Sequence, residues 1–276
     1  RAVERFKATS FHTDRVAYWG GKFAELPGGP TLPQLPHLPT TAGVDTHQRI
    51  SGELQHWAGL KQYAATHHVP CSLILLTAYL EVLYAWNGQR PLTVVVPGWE
   101  RLPIHEDIGR VIGDFTTLSW VTRGSDAIEI TERLAQVTRQ HAADLAQRPV
   151  SGLQVLRRLM LRDRRRQLGF PVVFTNQITP RALPGTQFQF GQALSKTPQV
   201  NLDNLSSEAD GCLYCSWDFA GSVYAPAMIQ EMFDGYLRLL ELLGADASAW
   251  QRIDFSDVIR ARPTSYGVAL DLAAAS

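Results

Sequence analysis

Between Pro70 and Gly88 the chain reads CSLILLTAYLEVLYAWN, and Glu81 is the one charge in that run. A helix that is apolar nearly all round has no face to give to water, so other parts of the chain have to cover it. The stretch from Cys71 to Trp86 is too short to span a bilayer and is broken by Glu81, so a core helix is expected and not a membrane segment. Asn87-Gly88 can stop it in a left-handed turn. A helix of this kind needs a layered domain around it. The chain has 276 residues, enough for one large domain or two small ones. Its 45% hydrophobic and 19% charged residues suit a folded core and leave little room for long disorder.

The neighbouring segments supply the layers. HQRISGEL, from residue 47, reads as a short strand, and Leu54, Trp57, Leu60 and Ala64 then recur at helical spacing. Thr93 to Val96 is a β-branched run bounded by prolines, which predicts a buried strand. Ile128, Leu134, Val137, His141 and Leu145 predict a helix closed by Pro149, and Ser151 to Gln167 reads as another. Pro171 to Thr175 and Gly211 to Phe219 read as strands. A last helix starts at Pro226, with Ile229, Met232, Phe233, Tyr236, Leu240 and Leu243 as its apolar stripe. Upstream, prolines at 27, 30, 33, 36 and 39 forbid a helix and predict an extended strap. Leucines at 32, 35 and 38 would give that strap one apolar side to lie on a surface, and composition leaves a packed strap and a surface linker equally open. Three segments follow: a lead-in over 1–25, a lobe over 26–250 and a linker or tail over 251–276. Helices alternate with strands without internal repeats, so the class is α/β or α+β, a mixed sheet flanked by helices.

Charge and motif content exclude several functions. Twenty-six Lys plus Arg balance twenty-six Asp plus Glu, leaving no global field for a nucleic acid. Three cysteines cannot build a disulfide framework, so a reducing, cytoplasmic setting is expected. Cys212 and Cys215 form a CxxC, but residues three apart in a strand point to opposite faces, and no second ligand pair sits nearby for a metal. Arginines 157, 158, 162, 164, 165 and 166 read as a solvated helix face, with an acidic partner protein as its functional use. No HExxH, GxSxG or GxxxxGK[ST] motif occurs. The remaining candidates are polar groups at the ends of apolar strands, Val111-Ile112 before Gly113-Asp114 among them: Asp114, Thr116, Thr175, Asn176, Thr197, Gln199, Asn201, Asp203, Trp217 and Asp218. Taken singly, such residues are more often caps and turn formers than catalysts, and composition and spacing alone go no further.

The order and wording of these segments resemble the heterocyclization domains of nonribosomal peptide synthetases, a branch of the condensation domains. LPGGPTLPQLPHLP resembles that family's LPxxPxLPL element, and the helix ending in VLYAW resembles the helix that follows. IGDFTTLSW is similar to its GDFT element and GFPVVFTNQ to its PVVFTS element. SKTPQVNLD with the later Trp217-Asp218 is similar to TPQVxLD…WD. Two positions depart: Glu100-Arg101 stands where the family shows Asn-Arg, and Asn176 replaces the usual Ser. Neither the family's DxxxxD motif nor the condensation HHxxxDG occurs, so the resemblance covers the C-terminal lobe over residues 18 to 243. With Arg at position 1, the chain is expected to be a piece of something longer.

The resemblance implies a chloramphenicol-acetyltransferase-like lobe and a two-step reaction. An acyl group on one carrier protein would be joined to Cys, Ser or Thr on the next, and the side chain would close on the new amide with loss of water to a thiazoline or oxazoline. It implies substrates carried on phosphopantetheine, no cofactor bound directly, no metal, and carrier domains and the N-terminal lobe as partners. The chain alone is then expected to be inactive. The family's acid and threonine map onto Asp203 and Thr175 as catalytic residues, with Asp114, Thr116, Asn176, Thr197, Gln199, Asn201, Trp217 and Asp218 as supporting pocket. Two alternatives stay open: a condensation lobe that makes amides without cyclizing, and a non-catalytic lobe that docks carriers.

Overall fold

The computed structural model describes residues 10–36, 46–99, 101, 106–147, 150–162, 169–177 and 197–266. Its centre is a six-stranded sheet built from β1 (His47–Leu54), β2 (Leu92–Trp99), β3 (Thr116–Arg123), β4 (Val172–Gln177), β5 (Leu202–Ala209) and β6 (Cys212–Ala220), in the order β1-β6-β5-β4-β2-β3. β4 runs parallel to β5 and β2, and the other pairs are antiparallel, so the sheet is mixed as expected. Neighbouring side chains on a strand point to opposite faces, and the two faces here do different things.

One face carries Val94, Val96, Val172, Phe174, Leu202, Leu213, Trp217 and Phe219, all buried. It packs on α2 (Trp57–Thr66), α3 (Cys71–Trp86) and α6 (Pro226–Ala245) in the larger core. The helix apolar all round is α3, with twelve buried residues among its sixteen. Glu81 stays inside by accepting hydrogen bonds from Arg123 Nε and Nη2, both at 3.1 Å. Gly88 follows with φ +64°, the left-handed stop expected there. Helices α2 and α6 close to the distance that glycine allows: a Cβ on Gly59 would sit 1.9 Å from the Gly244 carbonyl oxygen.

Among the described residues, helices cover the second face over the β2, β3 and β4 side. α1 (Ser10–Glu25) brings Trp19 and Phe23, and α5 (Gly152–Arg162) brings Val155 and Leu156, onto Val95, Trp120 and Val173. Buried Asp144 of α4 (Ile130–Leu145) fastens α1 by accepting from the Tyr18 hydroxyl at 2.7 Å and from Lys22, and it also accepts the Trp120 N–H. The strap lies beside the start of β2, where Thr93 N–H donates to Gly28 O and Thr31 N–H to Asn87 Oδ1.

Four expectations change. Leu32 is buried but Leu35 is exposed, because the strap there is held by its backbone, Leu35 N–H to Val223 O; Leu38 lies outside the described residues. Strand β2 continues past Pro97 to Trp99, since β3 still pairs with it on the other side. Val111 and Ile112 are exposed loop residues, so the GDFT element leads into β3 and does not end a strand. Beyond residue 251, Phe255 and Ile259 of the short helix α7 (Ser256–Ile259) and its approach are buried in the larger core. Among the described residues no single helix is long and apolar enough to cross a membrane.

Candidate functional site

The other half of the second face, which no described helix covers, is the floor of a cleft of about 2150 Å3. Its chemistry follows from strand register. Val173, Asp203, Asp218 and Arg49 stand in one row across β4, β5, β6 and β1. The next row holds Thr175, Leu205, Ser216 and Ser51, with the two serine hydroxyls 3.0 Å apart. Residues in adjacent rows of neighbouring strands are diagonal partners, close enough for polar side chains to touch. Thr175 Oγ1 accordingly donates to Asp203 Oδ1 at 2.9 Å. Asp203 is buried at 5% exposure although it lines the cleft, and Thr175 is half-buried. A hydroxyl and a carboxyl so joined can pass a proton to or from a bound molecule.

Asp218, next to Asp203 in the row, meets a guanidinium at both oxygens: Arg49 Nε lies 2.5 Å from Oδ1 and Nη2 lies 2.7 Å from Oδ2. Such two-point pairing fixes the planes of both groups. Arg49 is absent from the sequence-derived candidates. Its signal was the alternation in HQRISGEL, where His47, Arg49 and Ser51 share the cleft face.

The cleft also gathers Asp114, Thr116, Thr197 and Gln199 at its rim. Asp114 caps the turn into β3, and the hydroxyl and N–H of Thr116 hold its carboxyl below the usual range. Arg101 orders the same loop by lying over the rings of Trp99 and Phe115, 4.8 and 4.3 Å from their centroids, and by donating to Ile108 O at 2.6 Å. Gln199 adopts a positive φ of 71° in the turn before β5.

Three expected pocket residues stand elsewhere. Trp217 points to the other face, fully buried, donating from Nε1 to Asn204 Oδ1 at 2.8 Å; the pleat puts it and Asp218 on opposite sides. Asn176 alternates away from Thr175 and is exposed. Asn201 contributes its backbone, which links Pro171 to Ala220 and aligns β4 and β6 beside β5. Of the arginine run, Arg157 lines the cleft and Arg158 is exposed, whereas residues 163–168 lie outside the described residues. Cys212 is exposed and Cys215 buried, on opposite faces of β6. Among the described residues no cluster of His, Cys, Asp or Glu could hold a metal ion.

The described residues thus form a mixed sheet with helices on one face and polar strand rows lining a cleft on the other. Residues 4–252 match the condensation domain family, and the chain belongs to it. The chain is 31% identical over 238 residues to phenyloxazoline synthase MbtB of Mycobacterium tuberculosis, a match covering 80% of this chain and 16% of that protein. It is 28% identical over 270 residues to pyochelin synthetase PchF of Pseudomonas aeruginosa, covering 94% of this chain and 14% of the relative. Among solved structures it is similar to the cyclization-docking bidomain of the EpoB nonribosomal peptide synthetase from Sorangium cellulosum. There the TM-score is 0.73 at 26% identity, covering 91% of this chain and 52% of that one. The chain therefore spans about half of that bidomain and a small part of the synthetases.

Proposed function

We propose that this chain is the C-terminal lobe of a heterocyclization domain in a nonribosomal peptide synthetase. With its N-terminal lobe it condenses a carrier-bound acyl group with Cys, Ser or Thr on the next carrier and cyclodehydrates the product to a thiazoline or oxazoline. The observation that carries the reading is the Thr175 hydroxyl on the Asp203 carboxyl, 2.9 Å apart and opening on the cleft. Support comes from relatives named for phenyloxazoline and pyochelin synthesis and from a neighbour named as a cyclization domain.

The second step asks for proton transfers at one carbon. The thiol or hydroxyl attacks the amide carbonyl carbon, losing its proton as the carbonyl oxygen gains one. That oxygen, now a hydroxyl, takes a second proton and leaves as water while the nitrogen gives up its own, forming the ring C=N bond. Asp203 exchanges these protons, with Thr175 orienting its carboxyl and relaying to the substrate. The phosphopantetheine arms of the carriers deliver both reactants, and the partners are those carriers and the N-terminal lobe.

The test uses the complete two-lobed domain with loaded carriers. Asp203→Asn keeps shape but removes the proton-exchanging group, and Thr175→Val removes the hydroxyl. Each is expected to slow ring closure by about 10²–10⁴-fold, so that the linear amide, one water heavier, accumulates. Loss of amide and ring together in a folded protein would assign the pair to binding. A wild-type domain that yields only linear amide would establish the non-cyclizing alternative, and carrier binding without either product would establish the docking lobe.

A further inference from the structure

The strand row places a second carboxylate directly opposite Asp203, and this has a physical cost. Directly opposed residues on antiparallel strands hold their Cβ atoms about 4.5–5.5 Å apart, and like charges at that spacing oppose ionisation of both groups. Asp218 is nearly inaccessible, its side chain 2% exposed, so water does little to screen it. What offsets it is the guanidinium of Arg49, which engages both of its oxygens from the outer strand of the sheet.

We propose that Arg49 is a positioning residue of the cleft: clamped at two points onto Asp218, it fixes the orientation and neutralises the charge of the carboxylate beside Asp203, and thereby sets the pH at which Asp203 exchanges its proton. This rests on the reading of Asp203 as the proton-exchanging carboxyl. It goes beyond that reading by giving the third and fourth strands of the row a task.

Among the described residues these other titratable groups lie near the row. His47 shares the cleft face of β1 with Arg49, two residues away. Arg157 of α5 and Asp114 before β3 face the cleft from its walls. Behind the sheet lies Tyr79 of α3, whose phenol is raised well above its ordinary value, first by burial and then by the Asp203 charge. A neutral phenol there adds no charge in the working range. Among the described residues the Arg49–Asp218 pair is the ion pair that stands in the row beside Asp203, and removing either member changes the charge there.

The sign of each perturbation follows. Arg49→Met takes the guanidinium away from Asp218, disfavours ionised Asp203, and moves the pH–rate limb that Asp203 governs upward. At an effective dielectric near 20 a bare charge about 5 Å away acts on the order of one to two pH units after partial hydration. Asp218→Asn leaves Arg49 unopposed and moves the limb downward. Arg49→Met/Asp218→Asn removes both charges and returns the limb to its wild-type position, although each single change displaces it. Arg49→Lys keeps the charge but not the two-point geometry, and restores only part of the shift.

The experiment follows amide formation and ring closure separately in the complete two-lobed domain with loaded carriers, as a function of pH, for these four variants and Asp203→Asn. Opposite shifts in the single variants, cancelled in the double, support the proposal, because a packing role gives additive losses and no displacement of the limb. If Arg49→Met superimposes on wild type while Asp203→Asn stops ring closure, Arg49 has no such role and the reading of Asp203 stands. If Asp203→Asn closes rings at the normal rate, the reading of Asp203 falls first. Should Arg49→Met also lose amide formation, the double variant decides: recovery of both steps with the wild-type profile supports the proposal, and continued loss overturns it.

Discussion

Glu81 offers the sharpest test of how this fold tolerates charge in its interior. It is the acid of an otherwise apolar helix, and it serves two guanidinium groups: Arg123 through Nε and Nη2, each at 3.1 Å, and Arg133 Nε at 3.3 Å. Side chains of both arginines are at most 6% exposed. Arg133 has a second acid in Asp126 at 3.0 Å, and Arg123 lies over the Tyr84 ring with its Cζ 3.6 Å from the centroid. Removing one member of a buried pair costs about 3–5 kcal/mol, because the partner charge stays buried. Glu81→Gln keeps one acceptor oxygen, and Asp126 still serves Arg133, so the lower end applies: about 3 kcal/mol. At roughly 2–4 °C per kcal/mol for a domain of this size, Tm falls by about 6–12 °C. Glu81→Ala, which also empties space beside α3, falls further. Thermal and urea unfolding of the 276-residue chain measure both, and 1 M salt leaves the difference nearly unchanged since the pair is shielded from solvent. A loss in Glu81→Gln below about 1 kcal/mol, or one that vanishes in high salt, would mean the pair behaves as a surface ion pair and would refute the reasoning.

Three further outcomes are expected. Gly59→Ala drives a methyl into the Gly244 carbonyl and separates α2 from α6, costing about 1–3 kcal/mol; urea unfolding that matches wild type would show the helices are free to move apart. Thiol reagents label Cys212 first and Cys71 more slowly, while Cys215, whose thiol burial pushes up to about 12, reacts only on unfolding; mass mapping of early adducts that finds Cys215 would contradict its place in the core. Burial raises the Tyr79 and Tyr236 phenols well above 10 and Tyr224 to about 12, so their contribution to stability is complete below pH 10 and is lost as pH rises through the raised values. Tyrosinate absorbance in an alkaline titration should therefore show these three ionising together with loss of near-ultraviolet circular dichroism, and smooth titration of all tyrosines in a folded chain would exclude it.

The parts of the fold legible in the sequence are those where one residue pattern had one physical use. Helix α3 could only be buried, and Pro226 with its stripe could only start a helix packed on one side. Strand β5 was hidden for the opposite reason. Its core-facing positions include Asn204 and Ser206, which look like solvent residues in LDNLSSEA, yet both are buried because Asn204 accepts from Trp217 Nε1 and donates toward Ser206 Oγ at 3.3 Å. Polarity satisfied across strands leaves no periodic trace along one strand. The GDFT segment misled in another way, since Val111 and Ile112 are apolar and exposed, and an apolar pair alone does not make a strand.

The candidate site shows the same limit at closer range. Resemblance brought Thr175, Asp203 and Asp218 onto one short roster, but it could not order them, because order in a sheet is a matter of register. Twenty-eight residues separate Thr175 from Asp203, and 169 separate Arg49 from Asp218. What makes them neighbours is that β4 enters parallel to β5 while β1 and β6 fold back antiparallel, so a single row crosses four strands. A slip of one residue in β6 would exchange Asp218 for Trp217 on the cleft face and bury a carboxylate against α3 and α6. The Trp217 indole, held by Asn204 and packed at 5.5 Å against Phe233, prevents that slip. The tryptophan of the Trp217-Asp218 pair thus serves the cleft without touching it: its burial on one face is what holds its neighbour, and through it Arg49, in line with Asp203 on the other.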